Sequence, residues 1–164
     1  MTTTTTSHSR QQRPAPHAAA AGARVFSLPL EHGPLAPATA RRAARPILAS
    51  WGLDEDQLYD ALLVISELVT NAVTHALPPV ALHLHTTTNG PGRVQVHVSD
   101  GGPHTASPTT SWATTRPTDE HGRGTTIITT LAHHTGTTPT PNTNTNNDTD
   151  TDGLIDHWAD LSAA

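Results

Sequence analysis

Cysteine and lysine are both missing from this chain of 164 residues, and aromatic side chains make up only 3% of it. Without cysteine there can be no disulfide and no thiolate metal site, which suits a reducing compartment. Without lysine every basic residue is an arginine, dispersed apart from Arg41, Arg42 and Arg45, and the formal net charge is -5. No basic stripe for a phosphate backbone exists, so no direct nucleic-acid partner is expected. No apolar run approaches the roughly 20 residues that a membrane-spanning helix needs. The opening residues show no charged-then-apolar leader pattern, and a cytoplasmic protein without membrane attachment is the expectation. The twelve histidines are scattered. His83 and His85 would share a strand face and His133 and His134 would end a helix, but neither pair has a third ligand at metal-site spacing.

What is present is unevenly distributed. Residues 1–22 are rich in Thr, Gln, Pro and Ala, and too poor in apolar bulk to pack, so a disordered tail is expected there. The remainder, 23–164, reads as one domain. Arg24 to Leu30 reads as a short edge strand bordered by Pro29. Ala36 to Trp51 has helical spacing, with Ala40, Ala43, Ala44, Ile47, Leu48 and Trp51 as its buried side and Gly52 as a stop. Asp54 would cap a longer helix running to His75 or Ala76, before Pro78-Pro79.

The period then changes. Val80, Leu82 and Leu84 alternate with polar or small residues, as do Val94, Val96 and Val98, and Asn89-Gly90-Pro91-Gly92 lies between them. That is an antiparallel hairpin with one apolar face. A Thr/Pro/Ser-rich loop to about His121, a short helix over Thr125 to His133 and a last strand over Leu154 to Leu161 complete the order. Between the last two, a low-complexity insert of Thr, Asn, Pro and Asp at about 136–152 is expected to be an exposed excursion. The fold class is therefore α/β (α+β): a two-layer sandwich with helices on one face of a mixed, largely antiparallel sheet.

The candidate chemistry starts on the second helix. Glu67, Asn71 and His75 recur every four residues and form a stripe, with Asp60 earlier on the same helix. Leu58, Ala61, Leu62, Ile65, Leu68, Val69, Ala72, Val73 and Ala76 make the opposite, apolar arc. Asp100-Gly101-Gly102 stands where a strand ends, and Gly122-Arg123-Gly124 stands before a helix. Each element suits part of a nucleotide with its magnesium ion. A neutral amide such as Asn71 beside phosphate oxygens is a suitable partner for magnesium. Glu67 could accept a proton from a hydroxyl near the terminal phosphate. Asp100 is an acceptor-only carboxylate, matched to an exocyclic amine such as that of adenine. Glycines beside it let the backbone approach a flat base. Exposed N–H groups at a helix start favour phosphate, and Arg123 or Arg116 could add a charge-assisted contact.

Each element also has a plain structural reading. Asp-Gly-Gly-Pro alone is an ordinary turn. Gly-Arg-Gly alone is a flexible loop before a helix, and no Gly-x-x-x-x-Gly-Lys-Ser/Thr loop occurs. His75 suits the negative end of a helix without reacting, and Arg41, Arg42 and Arg45 suit a solvated helix side. The functional reading gains from order: helix box, strand-end Asp-Gly, glycine loop, helix.

That ordered trio resembles the ATP-binding domain shared by gyrases, histidine kinases and mismatch-repair ATPases, the GHKL superfamily. Within it the chain is most similar to the small bacterial anti-sigma-factor serine/threonine kinases. Ser66-Glu-Leu-Val-Thr-Asn-Ala-Val-Thr-His75 carries the likeness to the first box, Val98-Ser-Asp-Gly101 to the second and Gly122-Arg-Gly-Thr125 to the third. Trp158 and Leu161 look like part of the family's final strand. The resemblance implies a Bergerat-type ATP-binding fold with ATP and Mg2+ as cofactors. It implies Glu67 as catalytic base, Asn71 as magnesium ligand and Asp100 on adenine. Gly102, Gly122, Arg123, Gly124 and Thr125 would lie about the nucleotide. It further implies transfer of phosphate to a serine of an antagonist protein, sequestration of a sigma factor, and a homodimer.

The sequence departs from the family at three places. The second box reads Asp-Gly-Gly-Pro instead of Asp-x-Gly-x-Gly. Thr125-Thr126 replaces aliphatic residues in the third box, and the last strand lacks the threonine that helps hold adenine in the wider superfamily. Two alternatives to a kinase therefore stay open: a nucleotide-dependent partner-binding switch with little or no catalysis, and a decayed relative that binds nothing.

Overall fold

A computed structural model describes residues 23–86, 93–103, 123–140 and 153–161, with only the backbone of 123 and 124. Among these residues three helices pack on one five-stranded sheet. The elements run β1 (Arg24–Leu30), α1 (Ala36–Ser50), α2 (Glu55–His75), β2 (Val80–Thr86), β3 (Val94–Asp100), α3 (Arg123–Leu131), β4 (His134–Thr140) and β5 (Leu154–Leu161). The sheet order is β1-β2-β3-β5-β4, and all four pairings are antiparallel, where a partly mixed sheet was expected.

The helices form where side-chain spacing and caps agree. At the start of α2, Asp54 accepts a hydrogen bond from the Gln57 N–H at 2.9 Å while Gln57 Oε1 accepts one from the Asp54 N–H at 3.1 Å. This reciprocal box satisfies two donors that an open helix end leaves bare. The entire apolar arc expected on α2 is buried, together with Val64 and Ser66. On α1 the buried row is narrower, Ala36, Ala40, Ala44 and Leu48. Its small side chains let α1 lie close against α2, leaving Ala43, Ile47 and Trp51 half-buried. Arg41, Arg42 and Arg45 are exposed, and Arg41 donates to Ser66 Oγ at 2.9 Å, tying α1 to α2.

Alternation along the strands sorts the sheet into two faces. Val80, Leu82 and Leu84 of β2 and Val94, Val96 and Val98 of β3 are buried beneath the helices. Residues paired across an antiparallel ladder share a face, so Ile155, His157, Ala159 and Leu161 of β5 point the same way. Among the described residues, the other face carries no helix. There His83 bridges Ser27 Oγ and Ser99 Oγ, His85 stacks on His97, and His97 Nδ1 lies 2.8 Å from Asp156 Oδ2. Arg93 pairs with the buried Asp160. Among the described residues no three of these groups converge as a metal site.

Two sequence-based expectations change. The start of the Thr-rich stretch belongs to a strand, His134–Thr140, and not to an excursion. It is one of the two outer strands of the sheet, exposed along most of its length, so it lacks the apolar alternation by which a covered strand is recognised. Gly136 lies beneath Trp158: a Cβ there would sit 2.5 Å from the indole. Helix α3 begins at Arg123 and ends at Leu131, so His133 lies in the turn after it and His134 opens β4. The 1–22 tail, the 104–122 loop with Arg116 and the remainder of the insert, 141–152, lie outside the described residues. No described helix is long and apolar enough to cross a membrane.

Candidate functional site

Helix α2 is the scaffold. Both α1 and α3 pack against it, and it lies over β3. Its polar stripe is consequently half-buried at Glu67, Thr70, Asn71 and Thr74, and becomes exposed only at His75. The carboxylate and the amide thus sit one turn apart between the packed side and solvent, where a bound ion or phosphate could reach both.

The end of β3 is fastened to the end of this helix. The Leu77 N–H donates to Gly102 O at 2.8 Å, and the Gly101 N–H donates to Leu77 O at 2.7 Å. Gly101 has to be glycine because of proximity: a Cβ would lie 2.4 Å from Pro78 O and 2.8 Å from Leu77 O. Gly102 has to be glycine, or nearly so, because its φ is +84°. These two residues therefore fix Asp100 with respect to the C-terminal end of α2. His32 adds a contact from the β1–α1 connection, its Nε2 lying 2.9 Å from Ala76 O.

Asp100 falls on the helix-covered face, continuing the buried row Val94, Val96, Val98, and is only 1% exposed. Its Oδ1 accepts the Gly102 N–H at 2.9 Å. Its Oδ2 has no close hydrogen-bond partner among the described residues; His157 Nε2 stands 3.2 Å away, within ion-pair reach. A buried carboxylate oxygen left in this state is costly unless something donates to it. Contact with that carboxylate outweighs half-burial and holds the His157 pKa above the ordinary histidine value; Asp156 adds to the rise. The other ring nitrogen, Nδ1, is 3.1 Å from Thr137 Oγ1 on β4.

The third element is nearby through α3, which packs on α2 with Ile128 buried. Arg123 and Gly124 form the first turn of α3 instead of preceding it, Thr125 is exposed, and Gly122 lies outside the described residues. The structure thus sets Glu67 and Asn71 on one helix, joins Asp100 and Gly102 to that helix's end, and packs the helix that opens at Arg123 against it. His157 escaped the sequence reading. The signal was there: it is the single polar residue in the inward row Ile155, His157, Ala159, Leu161.

Among the described residues, three helices over one face of this antiparallel sheet form a two-layer α+β domain. Residues 33–146 match the histidine kinase-like ATPase domain, and the chain belongs to that family. The structure is similar to the RsbU and RsbW domains of Rv1364c from Mycobacterium tuberculosis. The TM-score is 0.58 at 20% identity, covering 86% of this chain and 33% of that one. The chain thus spans about a third of that neighbour's length, and at this identity the likeness shows the fold alone. No curated protein matches it.

Proposed function

We propose that the chain binds ATP with magnesium through α2, the end of β3 and the start of α3, and acts as a protein serine/threonine kinase of the anti-sigma type. The observation that carries nucleotide binding is Asp100. A nearly inaccessible carboxylate, fixed by Gly102 on one oxygen and lacking an aligned donor on the other, fits an exocyclic amine of a purine. Asn71 offers a neutral oxygen to the metal, and the first turn of α3 offers backbone N–H groups to phosphate. ATP, when bound, supplies the phosphoryl group. Glu67 accepts the proton of a serine hydroxyl as that oxygen bonds to the terminal phosphorus and the bond to the bridging oxygen breaks, releasing ADP. Similarity to anti-sigma-factor kinases supplies the partner classes: a small antagonist carrying the serine, and a sigma factor held by the kinase.

Phosphotransfer from radiolabelled ATP to candidate antagonists tests this reading. Glu67→Ala should lower transfer by about 10²- to 10⁴-fold while nucleotide still binds. Asn71→Ala should abolish the magnesium dependence of binding. Transfer by Glu67→Ala at the wild-type rate removes Glu67 from the role of base.

One observation favours a second reading, a nucleotide-responsive switch with little catalysis: His157 already stands against Asp100. Magnesium-dependent ATP binding with no phosphorylated product on any partner would select it.

A further inference from the structure

His157 is the inward-facing residue of β5 whose ring reaches the carboxylate assigned above to base recognition. Asp100 is almost wholly shielded from solvent, whereas the His157 side chain is 39% exposed. Ile155 lies directly across the ladder from Asp100, with its side chain over Gly102. The second oxygen of Asp100, Oδ2, has the imidazole 3.2 Å away and no hydrogen-bond partner among the described residues. A base approaching Oδ2 therefore has to contend with that ring.

We propose that His157 is a displaceable cover on Asp100, so that a purine amine reaches Oδ2 only when the imidazole leaves and gives up its proton. The inference rests on the nucleotide reading above and adds a coupling to it: nucleotide and proton compete for one carboxylate. The ring is placed for this behaviour. Nε2 faces Asp100 on β3 and Nδ1 faces the Thr137 hydroxyl on β4. A hydroxyl can donate to or accept from Nδ1, so either protonation state keeps a partner there. Asp156 acts on the ring from the adjoining position of β5. The polar stripe of α2 brings Glu67 and His75 as titratable groups, and residues 125–131 of α3 bring none. A protonated ring is favoured by the paired carboxylate and disfavoured once a base takes Oδ2, which is the differential interaction that a competing equilibrium requires.

Calorimetric titration with Mg-ATP between pH 5.5 and pH 8, in two buffers of different ionisation enthalpy, counts the protons exchanged. For wild type, affinity should fall by up to about tenfold per pH unit below the His157 pKa, with close to one extra proton released per nucleotide. His157→Gln, which cannot titrate, and His157→Ala should lose that increment, bind more tightly than wild type at pH 6 and match it at pH 8. The nucleotide's own phosphates titrate equally in all three proteins, so the difference is the readout. Two results overturn the cover while leaving nucleotide binding intact: a variant that keeps the wild-type slope, or variants that bind more weakly than wild type at pH 6. Absence of any Mg-ATP binding to wild type or variants at every pH overturns the cover and the nucleotide reading together.

Discussion

The joint between α2 and β3 can be broken at one atom. In Gly101→Ala the new methyl would meet Pro78 O at 2.4 Å, Leu77 O at 2.8 Å and the Pro78 carbonyl carbon at 3.0 Å, all backbone. No flexible side chain can yield, so the chain itself has to move. Moving it breaks the Gly101 N–H to Leu77 O bond at 2.7 Å and strains its neighbour from Leu77 N–H to Gly102 O. Overpacking and one or two lost hydrogen bonds together cost about 2–4 kcal/mol. For a chain of this size that lowers the melting temperature by about 6–12 °C. Urea denaturation followed by circular dichroism measures the free energy, and a slope unchanged from wild type would confirm that stability alone has shifted. Because the same turn fixes Asp100, ATP affinity should fall below wild type at temperatures where the variant is still folded. Gly33→Ala is the control: a Cβ there meets nothing within 4 Å, and its backbone is not left-handed. Its stability should stay within about 0.5 kcal/mol of wild type. If Gly101→Ala and Gly33→Ala unfold together, the close approach at Leu77 and Pro78 does not constrain the folded chain.

Arg93→Ala strands Asp160, a buried carboxylate whose other oxygen has no hydrogen-bond partner. Since Arg93 is itself 53% exposed, the expected loss is about 1–2 kcal/mol, and a double-mutant cycle with Asp160→Asn should show it to be non-additive. Asp54→Ala removes the side-chain acceptor for Gln57 N–H and should cost about 1 kcal/mol in denaturant titration. Stability should also respond to pH through two histidines of opposite sign. Burial lowers the His83 pKa, with Asp156 opposing and His97 adding to the fall. The folded state then binds fewer protons at His83 than the unfolded one, and stability is lost as pH drops below about 6.5. His157 has a raised pKa, so its contribution is full below about 6.5 and disappears as pH climbs through the folded value. His83→Gln should flatten the acid side of the stability profile and His157→Gln the neutral side; identical profiles for both variants would refute the assignment.

The parts of the fold legible in the sequence are those in which one face is covered. Strands β2 and β3 and the nine apolar residues of α2 agree with the structure because burial imposes period, and period is written in residue type. The narrow alanine row of α1 was harder to delimit: a helix that approaches its neighbour closely buries small residues and leaves Ile47 and Trp51 only partly covered. Strand β4 could not be read in this way. As an outer strand it buries almost nothing, and Gly136 and Pro139 point to a loop by local rule. Gly136 is there to make room for Trp158, and Pro139 is tolerable at a sheet margin.

For the candidate site, position within an element was legible and contact between elements was not. Spacing alone put Glu67, Asn71 and His75 on one stripe, and the alternation of β3 put Asp100 in line with Val94, Val96 and Val98. Which residue would stand opposite Asp100 depends on the β3–β5 register, and a two-residue change in pairing would replace Ile155 or His157 without altering either strand's own pattern. That register decides the chemistry. With Asp100 facing Ile155 directly and His157 diagonally, a neutral strand position becomes a titratable one beside a buried acid. The departure at the last strand therefore involves more than the absence of a threonine. An aliphatic side chain at 157 would leave Asp100 Oδ2 without any charged group beside it, whereas the imidazole stands 3.2 Å away. Under the nucleotide reading proposed above, binding at this carboxylate becomes a contest between two donors, with the ambient proton concentration setting the terms.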